Sequence, residues 1–406
     1  MDTGDTAWML MSTALVMVML PGLALFYGGL VRRKNVLSTT MHSFFGLALV
    51  SIVWVVIGFT LAFGPDLNGL GLIGNLDFAF FNNVGQEPSA VYATTIPFML
   101  FAMFQLMFAA ITPALITGAF AERKRFGSFV LFTILWSILI YSPIAHWVWS
   151  TDGWLYKLGA LDFAGGTVVH ISSGVSALIV ALMIGRRRMN GHEPEPHDVP
   201  MTVLGAGLLW FGWFGFNAGS ALTAGGLAAS AFTVTNIAAA AATVTWVLAS
   251  YAHTQKVSVV GAACGAVAGL VAITPASGFV TPAGALTIGL VAGALCYSAT
   301  LLRARSRVDD ALDVFAVHGI GGMFGAIATG VLASSTVQAA YSGLIDGNPQ
   351  QVVTQAIAVV ATIAYAVVGT YLIVKVVDVL LGIRVKPEAE ELGLDLSVHG
   401  EVAYQV

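Results

Sequence analysis

Residues 160–170 read ALDFAGGTVVH and residues 310–318 read DALDVFAVH. Each places an aspartate eight positions ahead of a histidine, Asp162 before His170 and Asp310 before His318, in a mostly apolar run. An ionisable ring in such a run is costly if it faces lipid, so two at one spacing point to a shared interior position. What surrounds the two runs decides whether they cross a membrane.

Of the 406 residues, 57% are apolar and only 9% charged, where soluble domains carry roughly 25% charged. The charges that exist are clustered, and the stretches between clusters are long enough to span a bilayer, which takes about 20 residues. Eleven such stretches can be counted, at about 6–31, 42–63, 92–120, 126–147, 165–185, 199–217, 226–252, 257–274, 282–302, 312–333 and 350–381. The expected fold class is therefore an all-α integral membrane protein with eleven transmembrane helices. A net charge of −4 and the lack of a basic stripe exclude a nucleic-acid partner. Cys264 and Cys296 sit inside apolar runs and read as reduced packing residues. The segment 189–200, MNGHEPEPHDVP, holds His192 and His197 among Pro and Glu and reads as a flexible linker rather than a metal site. No metal, cofactor or enzymatic chemistry is expected.

Basic residues follow segments one, three, five, seven, nine and eleven: 32–34, 123–125, 186–188, Lys256, 303–307, then Lys375, Arg384 and Lys386. In an eleven-pass chain those positions share one side, and of the 17 basic residues all but Lys157 fall there. The positive-inside rule makes that side cytoplasmic, with the N-terminus outside and the C-terminus inside. The opening MDTGD lacks a basic n-region, so no signal peptide is read. Either a short acidic tail is translocated directly, or a signal has been removed ahead of an engineered Met1.

Because five is odd, a second five-span half enters from the opposite side, giving inverted repeats at about 6–188 and 199–333. A long eleventh helix at 350–381 completes a membrane domain of 1–381, followed by a cytoplasmic tail of 382–406. Eight helical residues rise about 12 Å, which puts His170 and His318 near the bilayer middle from opposite faces. A pseudo-two-fold axis brings them together to line a pore. Asp162 and Asp310 read as N-terminal caps of their helices, with Asp162 also adding negative potential near a cation site.

DFAGGTVVHISSG at 162–174 is joined by FQLMF at 104–108, PIAHWVW at 143–149, GWFGFNAGS at 212–220 and DVFAVHG at 313–319. In this order and across nearly the whole length, the chain closely resembles the ammonium transporters of the Amt/Mep/Rh family, in its bacterial Amt branch. The tail 382–404, with GLDL and HGE, resembles their cytoplasmic C-terminus. The resemblance implies ammonium or ammonia transport across the cell (plasma or inner) membrane for nitrogen uptake. It implies an outer recruitment site at Phe108, Trp149 and Ser220, a gate of stacked phenyl rings at Phe104 and Phe216, and a pore lined by His170 and His318. It also implies a homotrimer with one pore per subunit, and a PII-type signal protein docking on the tail, rich in Glu388, Glu390, Glu391 and Asp395, and on the Arg-bearing loops. Some family members are ammonium sensors, the competing expectation here. For this chain, sensing would have to work through the tail or a partner.

Overall fold

The computed structural model describes residues 1–188 and 195–405, so His192 lies outside the described residues. Eleven apolar helices follow one another: α1 (Thr3–Leu30), α2 (Arg33–Phe63), α3 (Phe98–Phe120), α4 (Phe126–Leu158), α5 (Gly166–Ile184), α6 (Val199–Ala221), α7 (Gly226–Thr254), α8 (Val259–Ile273), α9 (Pro282–Arg305), α10 (Phe315–Leu332) and α11 (Gln350–Leu381). Ten are long and apolar enough to span a bilayer; α8, at 15 residues, is not. The expected eighth span is thus a short helix ended by Pro275, which cannot continue the ladder. Residues 274–279 turn onward as buried, non-helical chain, which membrane depth tolerates when protein surrounds it.

α1 packs along α6, and α11 packs along α5, α4 and α10. Lipid gives apolar helices no hydrophobic reason to associate, so close backbone approach has to hold them. α1 and α6, the first helices of the repeats, achieve this through glycine. A Cβ added to Gly205 would lie 2.2 Å from the Phe26 amide nitrogen, and one on Gly212 would lie 2.2 Å from the Met19 side chain.

α5 and α10 start alike, though not as the sequence predicts. Neither aspartate stands in a helix: residues 162–165 and 310–313 are non-helical. Three positions past each aspartate the backbone turns left-handed, at Gly165 (φ 119°) and Asp313 (φ 58°). The histidines then sit in wide π-wound turns, Gly166–Ile171 and Phe315–Ile320. The eight-residue helical rise of about 12 Å is therefore not formed. Each histidine enters on the first turn of its helix, because the aspartate ties up the lead-in amides and the left-handed residue breaks the helix between them.

At the face carrying the basic clusters, buried Glu122 receives Arg32 at 2.9 Å and Arg187 at 3.4 Å, and Arg187 meets Asp309 at 2.8 Å. Burial pushes the Glu122 acid up, but Arg187 and Arg32 overcome this and hold it below its ordinary value. Asp309 is likewise raised by burial and then drawn down to about 2 by Arg187. Arg123 donates to the carbonyls of Ala119, Ala121, Gly185 and Asp309, tying three loops together.

The tail also departs from a plain acidic surface. Its backbone pairs with the α3–α4 loop through Arg125 to Ile383 and Val385 to Arg123, and α12 (Pro387–Leu392) follows. Glu390 is fully buried, accepting from the Arg188 amide and paired with Arg384 at 2.8 Å. Asp395, also buried, accepts the amides of Leu37 and Ser38 near the start of α2. Of the four acids expected on the surface, only Glu388 and Glu391 are exposed, because the others satisfy donors of the folded face.

Candidate functional site

On the opposite side of the molecule a cavity of about 220 Å³ is lined by Phe108, Trp149 and Ser220, with Gln105, Phe101 and Tyr92 beside them. α3 supplies Phe101, Gln105 and Phe108, whose spacing puts them on one helical face. Phe108 and Trp149 stand nearly perpendicular, with ring centroids 5.8 Å apart at 88°. The Trp149 indole donates to the Asp162 carbonyl at 3.0 Å, and the Ser220 hydroxyl donates to the Phe216 carbonyl at 2.8 Å. Ser220 therefore turns lone pairs toward whatever enters. Aromatic faces carry negative charge and attract cations, so the three expected recruitment residues share one cation-compatible pocket.

Beneath them the rings close. Phe108 lies on Phe216 with centroids 4.2 Å apart at 36°, and both are almost fully buried. The expected partner of Phe216 was Phe104, and that pair is not formed. Phe104 stands edge-on to Phe108 at 4.9 Å and 68° and packs toward Gly219. One turn of α3 separates the two phenylalanines along the helix axis, and it is the one nearer the basic face, Phe108, that reaches Phe216. Phe108 thus belongs to both the recruitment pocket and the constriction.

Past Phe216 the passage narrows to about 10 Å³ of room for a molecule of water's size, lined by His170, His318, Trp213 and aliphatic side chains. His170 and His318 meet, Nδ1 to Nδ1, at 3.2 Å with ring centroids 5.2 Å apart. Their meeting follows from the crossing of α5 and α10 at matched glycines. A Cβ on Gly174 would strike the Gly319 amide nitrogen at 2.2 Å, and one on Gly322, its counterpart twelve residues past Asp310, would touch the His170 Cβ at 3.0 Å. A hydrogen bond between two Nδ1 atoms requires one ring to donate and the other to accept, so neutral rings take opposite tautomers. Trp213 stacks on His170 at 5.5 Å and anchors its indole on Thr274.

His318 also lines a cavity of about 320 Å³ on the basic side, together with Tyr27, Cys264, Arg303 and Asp313. The path thus runs aromatic pocket, phenyl constriction, twin imidazoles, basic-side cavity. Both cysteines are free. The two caps differ in how fully they are used. Asp162 accepts the amides of Gly165, Gly166 and Thr167 at 2.6–2.7 Å, besides the Thr167 hydroxyl and the more distant Val168 amide. Asp310 accepts the Phe315 amide at 2.7 Å.

The sequence profile of the Ammonium Transporter Family matches residues 7–404. The chain belongs to that family. Among its relatives in the Ammonium Transporter Family, an ammonium transporter of Bacillus subtilis (strain 168) is 52% identical over 407 residues, covering 100% of this chain and 99% of the relative. The crystal structure of Saccharomyces cerevisiae Mep2 is similar with a TM-score of 0.89 at 38% identity, covering 96% of this chain and 88% of Mep2. A solved "Sensor Amt Protein" is similar at the same TM-score with 31% identity, covering 97% and 98%. Two residues of the path, Gln105 and Trp213, lie inside the family motifs FQLMF and GWFGFNAGS without any sequence feature that marks them for a role. The nearest to one is the position of Gln105, three residues before Phe108.

Proposed function

We propose that this chain carries ammonium across a cell membrane by recruiting the cation at Phe108, Trp149 and Ser220, removing its proton, and passing ammonia between Phe108 and Phe216 and along His170 and His318. The observation that carries this reading is the single line of aromatic pocket, ring constriction and paired imidazoles. Moving a bare cation into low dielectric costs on the order of 20 kcal/mol by the Born estimate, and no carboxylate lines the narrow part. Aromatic faces return roughly 2 kcal/mol per desolvated contact, enough to concentrate a cation but not to carry it through. Ammonia, neutral and of water's size, suits the narrow lumen. Potassium has no proton to lose, so it is held at the pocket and excluded. Asp162 and Asp310 cap the two helices that seat the histidines, and Asp162 adds negative potential below the pocket.

The basic face is assigned to the cytoplasm, leaving the N-terminus outside and the tail inside the plasma or inner membrane. This is supported by the charge asymmetry and the positive-inside rule. The membrane domain is 1–381 and the tail 382–406. A homotrimer and a PII-type partner at the basic loops and tail complete the proposal, on the family resemblance. Sensing through the tail is the second reading, favoured by likeness to the solved sensor and by the tail's tight seat on the α2 and α3–α4 loops.

Currents across reconstituted bilayers test the main reading. Wild-type protein is expected to give a saturable ammonium current with none for potassium. If the double variant H170A/H318A keeps a potassium-excluding ammonium current at wild-type rate, the histidine path is wrong. Ammonium binding with no flux in wild type favours the sensor.

A further inference from the structure

We propose that Gln105 is a direct ligand of the recruited cation, supplying the acceptor that Phe108, Trp149 and Ser220 leave missing; this rests on the transport reading above and extends its pocket. Gln105 is 9% exposed, and its amide oxygen Oε1 is buried without a hydrogen-bond partner. An acceptor shut away from water and left unbonded is expensive, so such a group calls for a donor that arrives with a ligand. Three other polar groups at the pocket are already engaged. Ser220 has given its proton to the Phe216 carbonyl, the Trp149 N–H is committed to Asp162, and the Tyr92 hydroxyl is joined to Ser150 at 3.0 Å. No other side chain lining this pocket has a buried acceptor without a partner among the described residues.

The geometry matches a tetrahedral donor. Ammonium carries four N–H groups. Two can address the perpendicular faces of Phe108 and Trp149, in the corner the rings make, and a third the Ser220 lone pairs. The fourth needs an oxygen from the α3 side, where Gln105 sits one turn from Phe108. The terminal torsion of glutamine is broad and nearly two-fold, so the amide turns its oxygen to the ion at little cost. Methylammonium has three N–H groups, which the two rings and Ser220 consume; its methyl then faces Gln105 and gains nothing from the amide. Gln105 thereby distinguishes ammonium from its methylated analogue, which the aromatic faces alone do not.

The test pairs currents with binding. In Q105L the ammonium concentration giving half-maximal current is expected to rise roughly tenfold, the effect of losing one hydrogen bond to a charged group. Maximal current should stay within about twofold, and half-saturation by methylammonium should rise less than about threefold on the same reasoning. In Q105E, equal in size and a stronger acceptor, half-saturation should fall. Equal shifts for both cations, or none, overturn the assignment. If Q105L does not fold, Q105E decides: an unchanged half-saturation rejects the ligand role. The ammonium-induced rise in melting temperature of the purified protein separates this from the transport reading. It should shrink in Q105L and persist in H170A/H318A. A wild-type protein that shows the rise but no current, with the rise shrinking in Q105L, refutes transport while supporting Gln105, and an undiminished rise in Q105L refutes Gln105 alone.

Discussion

The starts of α5 and α10 are built to one plan and finished differently. Both have an aspartate, a left-handed residue three positions on, a π-wound turn, a histidine at the eighth position and a glycine at the twelfth. In the first, Asp162 is saturated with donors and the left-handed residue is Gly165, where a positive φ carries no Cβ penalty. In the second, Asp310 leaves Oδ1 buried and unpartnered, and the left-handed residue is Asp313, pinned by Arg303 at 2.7 Å. The lesson is that the repeat fixes where each histidine goes, while local chemistry is free to differ. One end works as a fully occupied cap, the other as an acid that prefers to keep its proton. Burial first, and then the nearby Asp313 carboxylate, push the Asp310 acid up to about 7.

The largest expected effect is at the saturated cap. D162N keeps the size but turns an N–H group toward N–H donors, and should lower stability by about 3 kcal/mol, read as a large drop in melting temperature in detergent. A wild-type melting temperature would mean the cap is decorative. Next comes the crossing. G174A drives a Cβ to 2.2 Å from the Gly319 backbone and should cost about 2 kcal/mol, whereas G322A meets the His170 and Ile171 side chains and the Gly166 carbonyl no closer than 3.0 Å and should cost about half that. Equal costs would show that the crossing is more adaptable than the glycine contacts imply.

Smaller and opposite in sign is the unsaturated cap. The folded value of Asp310 lies above the unfolded value of about 3.9, so the native state binds the proton more tightly. Its stabilising contribution is complete below the unfolded value and is lost as pH rises through about 7. Melting temperature should therefore fall as pH rises from about 4 to about 7 in the wild type and level off above that. D310N, which mimics the neutral acid, should flatten that slope and leave stability at pH 4 within about 1 kcal/mol of the wild type. A slope unchanged in D310N would place the titration elsewhere. Least of all, D313G restores the first repeat's glycine, trading relief of a positive φ against a part-exposed ion pair, for a net change within about 0.5 kcal/mol. A loss of several times that amount, measured in the same melts, would mean Arg303 anchors α10 more firmly than a part-exposed pair does.

Much of this was legible in the sequence. The spans, the one-sided basic clusters and the paired Asp-to-His spacing all point to inverted halves with two histidines meeting, and the rings stand Nδ1 to Nδ1. Phe108, Trp149 and Ser220 share a pocket as the family motifs imply. The Phe104–Phe216 pair was misread because Phe104 and Phe108 lie on the same side of α3, and no periodicity tells which ring meets a helix more than a hundred residues away. The helical rise from Asp162 and Asp310 was misread because a side chain that captures backbone amides replaces helix with turn. Glu390 and Asp395 were assigned to the surface by composition, since nothing along the chain announces the α2 amides and the arginine that bury them.

What the sequence alone determined is whatever can be summed over a continuous stretch: transfer to lipid, the side on which charge is stranded, and the repeat of a spacing. These depend on neighbours in the chain, so they can be read in one dimension. The tertiary structure alone decided the short α8, the choice of Phe108 over Phe104, the unpartnered oxygens of Gln105 and Asp310, and the burial of Glu390 and Asp395 in the tail. Each turns on contacts of a few ångströms between distant segments, set by how closely glycines let the helix backbones approach, and no local rule carries that distance.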